Sequence, residues 1–114
     1  MITLNTLKDA TAQEVFDQVK GHLLKQNETC LDARGKCKYR FGELKCAAGC
    51  LIADDEYKEI FEGKTWFGLD RDGLVSRSHY VLICDLQSVH DNNDVSLWPA
   101  KLAKVAENHN LKYE

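Results

Sequence analysis

Residues 36–41 alternate basic and apolar side chains with a period of two, which is the pattern of a half-buried β-strand. The basic residues fall on one side, and Cys37, Tyr39 and Phe41 fall on the other, which we expect to face the core. The letters FGEL supply a turn, so a short second strand is predicted at residues 44–46. Because a two-stranded ribbon is marginally stable alone, this one must pack against helices.

Helical patterns lie on both sides of the ribbon. The letters TAQE at residues 11–14 form a capping box, and the apolar spacing that follows predicts a helix over residues 11–26. A second long helix is expected over residues 76–91. A last helix should be capped by Ser96, with Pro99 tolerated in its first turn.

The stretch between the ribbon and the second long helix reads as shorter pieces. The letters CAAGCLI predict a buried helical turn at residues 46–52, whose small side chains allow another segment to approach closely. Asp54 or Asp55 is expected to cap a short helix that runs through Phe61. Gly63, Gly68 and Gly73 predict a loop.

The chain of 114 residues is the size of one domain, and its 44% apolar and 29% charged residues are ordinary for a globular protein. We therefore predict a single domain, residues 1–114, of the α+β class: mostly helical with a short two-stranded β-ribbon. No basic segment followed by an apolar segment opens the sequence, so no signal peptide and no membrane partner are expected, and the predicted location is cytoplasmic. The net charge of −3 argues against a general polyanion binder.

The five cysteines raise the question of whether the chain binds a metal ion. Zinc sites usually receive their ligands as two closely spaced pairs, and this chain has no CxxC. A zinc site would have to combine Cys37, Cys46 and Cys50 with either Cys30 or His90. The preferred interpretation is that the thiols pack as small hydrophobic side chains, so no metal and no cofactor are predicted.

A thiol enzyme is a further alternative. Cys46 or Cys50 could serve as nucleophile, with His90 as base and Asp91 or Asp94 to orient it. Residue types alone are weak support in a chain with five cysteines and four histidines. No catalytic residue is therefore assigned.

Two features suggest a binding surface. The first is a local group of basic residues in an acidic protein, Arg34, Lys36, Lys38, Arg40 and Lys45. The alternative is that these charges merely blunt an exposed strand edge. The second is the aromatic pair Trp66 and Phe67 in the glycine-bounded loop, which fits either an interface anchor or a lid over the core.

The central stretch CKYRFGELKCAAGCLIADDEY resembles a motif of a family of small bacteriophage and prophage proteins: C-x-Y-R, a glycine turn, K-C-A-x-G-x-L-I and D-x-E-Y. The resemblance covers about residues 11–110. The matching residues are Cys37, Tyr39, Arg40, Lys45, Cys46, Ala47, Gly49, Leu51, Ile52, Asp54, Glu56 and Tyr57. Ala53 stands where the motif has a proline before the acidic pair, which leaves the start of the next helix less sharply set.

This resemblance implies a viral accessory gene and brings no activity. The functional expectation is a non-enzymatic phage protein of the host cytoplasm that binds a host or viral macromolecule, with inhibition of a host defence or metabolic protein as one form. A protein partner is preferred, and nucleic acid is the alternative. Two other functions stay open: a small zinc protein whose basic ribbon contacts nucleic acid, and a thiol-dependent enzyme.

Overall fold

A computed structural model describes all 114 residues, and it confirms the mostly helical α+β fold with a small ribbon. The helices are α1 (Ala12–Gln26), α2 (Trp66–Arg71), α3 (Tyr80–Asn92) and α4 (Trp98–Asn108). The strands are β1 (Arg40–Phe41) and β2 (Leu44–Lys45), which pair antiparallel. Helices α1, α3 and α4 pack on one another, and a 3-10 turn at Ala48–Leu51 contacts α1, α3 and β2.

Helix α1 begins as the sequence predicts. The Thr11 hydroxyl accepts the N–H of Glu14 at 3.1 Å, and the Glu14 carboxylate accepts the N–H of Thr11 at 2.8 Å. These two bonds satisfy N–H groups that have no partner inside the helix. The helix ends at Asn27, whose left-handed conformation (φ 52°) lets its N–H reach the carbonyl of Leu23.

The ribbon is shorter than predicted. It pairs Arg40 with Lys45 and Phe41 with Leu44, whereas the preceding residues form only an isolated bridge, between Leu31 and Cys37. The predicted core face is also wrong, because Cys37 and Phe41 are exposed and only Tyr39, of the three, is buried.

The physical reason for the shorter strand is a carboxylate. Glu62 accepts the backbone N–H of Tyr39 at 2.9 Å and that of Arg40 at 3.3 Å. These two backbone N–H groups therefore donate to a side chain from a distant loop and not to a neighbouring strand. Residues 37–39 therefore lie outside the two-stranded ribbon.

Small side chains at residues 47–49 do allow a close approach, as predicted. The 3-10 turn Ala48–Leu51 is buried, and it passes directly against the backbone of Tyr39. A Cβ atom built on Gly49 would overlap the carbonyl oxygen of Tyr39. Only glycine therefore fits at this position.

Two predictions for the middle of the chain are wrong. The helix expected to run through Phe61 is a turn followed by a 3-10 turn at Glu59–Phe61, because the backbone is extended at Lys58 (φ −136°, ψ 140°) and interrupts it. The expected glycine loop contains helix α2, which is capped by the hydroxyl of Thr65, since that oxygen accepts the N–H of Gly68 at 3.0 Å.

The last two helices differ from prediction at their starts. Helix α3 begins at Tyr80 rather than near residue 76, since His79 precedes it in the left-handed conformation (φ 59°). Ser96 does not cap α4. Instead, Asp94 accepts the N–H of Ser96 and forms a 3-10 turn, Val95–Leu97, ahead of the helix. Pro99 lies in the first turn of α4, as predicted.

Candidate functional site

A groove of about 410 Å³ opens between the ribbon side of the protein and α3. One wall is residues 37–39, a second is residues 62–67, and the third is one face of α3. That face carries Cys84, Gln87, Ser88, Asp91 and Asn92, which are spaced so that they share one side of the helix. The groove thus joins the segment before β1 to the first turn of α2.

Asp91 is the centre of a hydrogen-bond network on the α3 wall. Its carboxylate accepts the Nδ1–H of His90 at 2.7 Å and the Nε2–H₂ group of Gln87 at 3.2 Å. The sulfur of Cys37 lies within 4.8 Å of this carboxylate. The Gln87 carbonyl oxygen in turn accepts the N–H of Ala48 at 2.8 Å. Asp91 therefore lies beside Cys37 and is linked, through Gln87, to the buried 3-10 turn.

Both ring nitrogens of His90 have hydrogen-bond partners inside the protein. Its side chain is 1% exposed, its Nε2 accepts the backbone N–H of Cys30 at 2.9 Å, and its ring packs against Trp98 with 5.5 Å between ring centroids. Because Nε2 acts as the acceptor, the neutral ring must carry its proton on Nδ1. Both nitrogens are occupied, so this imidazole has no free site at which to act as a base.

Ligand atoms of Cys37, His90 and Asp91 lie within 4.8 Å of one another, which is the one such cluster in the protein. A metal bound through Nδ1 would move the imidazole proton to Nε2, where it would face the N–H of Cys30. In the absence of a metal, burial and the neighbouring Asp91 raise the pKa of the Cys37 thiol to about 11. These residues fit a hydrogen-bonded cluster better than a metal site.

The other thiols are engaged separately. Cys46 Sγ accepts the N–H of Gly49 at 3.2 Å, and Cys50 Sγ donates to the carbonyl of Ala47 at 3.1 Å. Burial raises the pKa of Cys50 to about 12 and also raises that of Cys46. Of the zinc set considered from the sequence, only Cys37 and His90 come together, and neither Cys46 nor Cys50 is paired with His90.

Packing explains most but not all of the cysteines. Cys30 and Cys46 are buried, Cys50 and Cys84 are half-buried, and Cys37 is exposed. The prediction that the cysteines pack in the core is thus right for Cys30 and Cys46 and wrong for Cys37. This thiol lies instead on the wall of the groove.

Four of the five basic residues separate into two groups. Arg40 forms a 2.9 Å ion pair with Asp54 and lies 4.6 Å above the ring of Tyr57, and Lys45 is 4.0 Å from Asp54. The positive charges of Arg40 and Lys45 are therefore largely neutralised by contacts within the protein. By contrast, Arg34 and Lys36 are exposed and take part in no ion pair.

Asp32 fixes the loop that presents Arg34 and Lys36. One of its oxygens accepts the N–H of Arg34 at 2.8 Å and that of Lys36 at 3.0 Å. The N–H of Lys36, followed by that of Arg34, lowers the pKa of this carboxyl, although burial opposes the shift. Gly35 supplies the left-handed residue (φ 79°) that the turn requires. Lys38, which lines the groove, lies 3.9 Å from Asp32.

The two adjacent aromatic residues have different roles. Trp66 is 2% exposed and packs beside Tyr39 with 6.4 Å between ring centroids, so it fits the lid interpretation. Phe67 is 56% exposed. Both line the groove together with Lys38, which unites three of the seven predicted contact residues in one site. The interface role of Phe67 stays a prediction.

Sequence reasoning missed Asp91 and Gln87 as groove residues. Their spacing on α3, together with Cys84 and Ser88, was a readable signal for one polar helix face. The partner of that face, Cys37, could not be read because the predicted strand placed it in the core.

Searches of protein families, of curated proteins and of solved structures each found no match for this chain. None of its helices combines the length and the apolar character needed to cross a bilayer. Functional inference consequently rests on the geometry of the groove and the charged loop beside it.

Proposed function

We propose that this chain is a non-enzymatic binding protein that uses the loop at residues 31–37 and the adjoining groove to hold a partner macromolecule. The observation that carries the proposal is the pair of exposed, unpaired cations Arg34 and Lys36 on a loop fixed by Asp32. A fixed loop loses little conformational freedom when a partner binds, so its charges contribute more to affinity.

The position of this loop beside the groove also supports the proposal. The loop leads directly into Cys37 and Lys38, which line the groove, and the exposed ring of Phe67 lies on the same groove. Exposed charge beside an exposed aromatic residue is the combination that protein interfaces use for orientation and for anchoring. In this proposal Arg34, Lys36, Lys38 and Phe67 make the main contacts.

The remaining predicted contact residues take lesser parts. Arg40 and Lys45 share Asp54 and lie at the margin, where their charge is partly neutralised. Trp66 supports the groove from below, because it is almost wholly buried.

A non-enzymatic role agrees with the chemistry of the groove. The most exposed thiol, Cys37, has a pKa raised to about 11 by burial and by Asp91, whereas nucleophilic cysteines need a lowered pKa. His90 has no free nitrogen to serve as base. A binding role uses the same surfaces without asking either group to react.

In its finer form, the proposal is that the chain is a phage accessory protein and that its partner is a protein of the bacterial host, of the defence or metabolic class. This form extends the resemblance of the central motif. A partner of net negative surface potential suits the unpaired cations.

The test is affinity capture from nuclease-treated bacterial lysate. The double variant Arg34→Glu/Lys36→Glu is compared with wild type and with Lys8→Glu/Lys101→Glu, which reverses two exposed lysines that lie outside the groove and outside any ion pair. We expect a specific partner with wild type and with the control, and its loss with the loop variant. Capture that is equal for all three proteins would refute the proposal, and a partner captured only from a parallel lysate without nuclease would favour nucleic acid.

A further inference from the structure

Three glutamines of α1 hold three separate segments of the chain in the same way. The side-chain amide of Gln18 accepts the backbone N–H of Ile2 at 2.7 Å and donates to the Ile2 carbonyl at 2.9 Å. Gln26 makes the same two bonds with Lys45 of β2, at 3.0 Å and 2.9 Å. This bidentate amide contact uses both backbone groups of one residue, as a neighbouring β-strand does. It therefore accepts any residue that has a backbone N–H, that is, any residue except proline.

The third bidentate amide contact holds the segment that follows α4. Gln13 accepts the N–H of Lys112 at 2.8 Å and donates to the Lys112 carbonyl at 3.0 Å. The ring of the next residue, Tyr113, packs edge-on against Phe16, with 6.4 Å between ring centroids. The Lys20 ammonium lies 4.5 Å from the centre of the Tyr113 ring. Main-chain bonds at one residue and a side-chain contact at the next are the features by which proteins recognise extended peptides.

This third contact is more exposed to water than the other two. All of residues 112–114, which we call the strap, are exposed, whereas Ile2 and Lys45 are half-buried. A space of about 320 Å³ between the strap and α1 is lined by no apolar side chain, so water reaches the bonds of Gln13. Phe16, by contrast, is fully buried beneath its neighbours. Backbone bonds that are open to solvent break in local fluctuations that leave the core folded.

The end of α4 is fixed independently of the strap. The N–H of Leu111 donates to the carbonyl of Ala106 at 2.8 Å, and Leu111 packs against the core. Asn110, just before it, has the left-handed conformation (φ 56°) that reverses the chain. Because the turn has its own bond, the strap can leave α1 while α4 keeps its end.

We propose that Gln13, Phe16 and Lys20 form a docking site for an extended segment of a partner protein, in which an aromatic residue follows the residue bound by Gln13. The strap occupies this site until the partner segment displaces it. The chemistry of the ligand is that of the strap itself, whose contacts with the site are described above. None of the three residues lines the groove, so this inference goes beyond the proposed function and does not depend on it.

The strap regulates access to the site because it is tethered beside it. A tethered segment competes at a high effective concentration, and a partner binds only the fraction of molecules in which the site is open. The apparent affinity for the partner is therefore lower than the intrinsic affinity by that fraction. Weakening of the strap should tighten the binding of the partner segment.

Amide hydrogen exchange tests whether the strap opens. Lys112 and Lys45 make the same bidentate contact, so Lys45 serves as the reference within one protein. After correction for intrinsic rates, the N–H of Lys112 should exchange at least about a hundredfold faster than that of Lys45, since local opening requires less free energy than disruption of the ribbon. Equal protection of the two amides would overturn the inference.

Peptide titration tests the docking site. The ligand is Ac-NLKYE-NH₂, which repeats residues 110–114, and the matched peptide is Ac-NLKAE-NH₂. Each is added to the ¹⁵N-labelled full chain, and the backbone signals around Phe16 report binding. The Tyr113→Ala variant should bind the tyrosine peptide saturably and at least about threefold more tightly than wild type does, because its own strap competes less. The alanine peptide should bind at least about threefold more weakly.

Two further variants, made in the Tyr113→Ala protein, locate the site. Gln13→Ala removes both bonds to the ligand backbone and favours the helix, so it should weaken the tyrosine peptide about fivefold or more. Lys25→Gln changes an exposed residue of α1 outside the site and should leave the affinity unchanged. Equal affinity for the two peptides, unchanged affinity in Gln13→Ala, equal binding by wild type and Tyr113→Ala, or no saturable binding would each overturn the inference.

Discussion

The backbone N–H of Cys30 donates to Nε2 of His90 at 2.9 Å, so a residue from the loop after α1 is fastened to the last turn of α3 by a buried imidazole. The other nitrogen of the ring donates to Asp91, which accepts from Gln87 and lies beside Cys37. This one side chain connects the groove to the core.

Replacement of His90 by alanine should lower the free energy of unfolding by about 2–4 kcal/mol, since it leaves a buried N–H unpaired and opens a cavity beside Trp98. Urea denaturation measures the change. His109→Ala is the control, because His109 binds Asp85 near the surface and its loss should cost about 1 kcal/mol or less. Similar losses for the two variants would contradict the role assigned to His90.

Gly49→Ala should destabilise the protein by more than about 3 kcal/mol, since the added methyl group overlaps the carbonyl oxygen of Tyr39, a backbone atom that cannot rotate away. Gly21→Ala is the matched control: a Cβ there meets nothing within 4 Å, and the change should stabilise α1 by about 0.5–1 kcal/mol. Thermal unfolding of both variants checks the opposite signs. A Gly49→Ala protein as stable as wild type would show that the 3-10 turn does not press on Tyr39.

Cys37 should react slowly with iodoacetamide although it is exposed. The residue as a whole is exposed, but partial burial of its thiol, together with Asp91, raises the pKa to about 11, so about one thiol in a thousand is ionised at pH 8. The rate should therefore lie about two orders of magnitude below that of a free peptide thiol and rise about tenfold for each pH unit until pH nears 11. Cys37→Ser identifies the signal by mass spectrometry. A rate equal to that of the peptide would disprove the raised pKa.

His22 should make the protein less stable in mild acid. Burial lowers its pKa below 6.5, outweighing the carbonyl of Lys45, which its Nε2 contacts at 2.9 Å. Below pH 6.5 the unfolded chain binds the proton more readily than the folded one, so the unfolding free energy falls as the pH drops through that range. Comparison with His22→Gln between pH 7.5 and 5 isolates this slope. Parallel stability curves for the two proteins would refute it.

Local signals in the sequence predicted those parts of the fold that depend on neighbouring residues. The capping box of Thr11 and Glu14, the proline in the first turn of α4 and the small side chains around Gly49 all behave as expected. Each involves either one helical turn or the size of one side chain, which the chain itself specifies.

Long-range carboxylate bonds were the features that sequence could not reveal. Glu62 captures backbone donors of Tyr39 and Arg40 more than twenty residues away, and Glu56 captures those of Leu4 and Asn5 from about fifty residues away. The spacing of apolar residues carries no information about such bonds, so the sequence predicted too long a strand and placed Cys37 in the core. Helix α2 was a different failure, since its cap at Thr65 was visible but the flanking glycines favoured a loop.

Tyr39 meets three separate parts of the molecule: its hydroxyl donates to the carbonyl of Lys64 at 2.7 Å, its N–H is held by Glu62, and its own carbonyl rests against Gly49. Because Tyr39 is held through its hydroxyl, its N–H and its carbonyl, this side of the groove cannot move aside to admit a ligand. Whatever enters the groove therefore meets a surface already in its final shape, and should dock at a rate set by collision and charge instead of by opening of the protein.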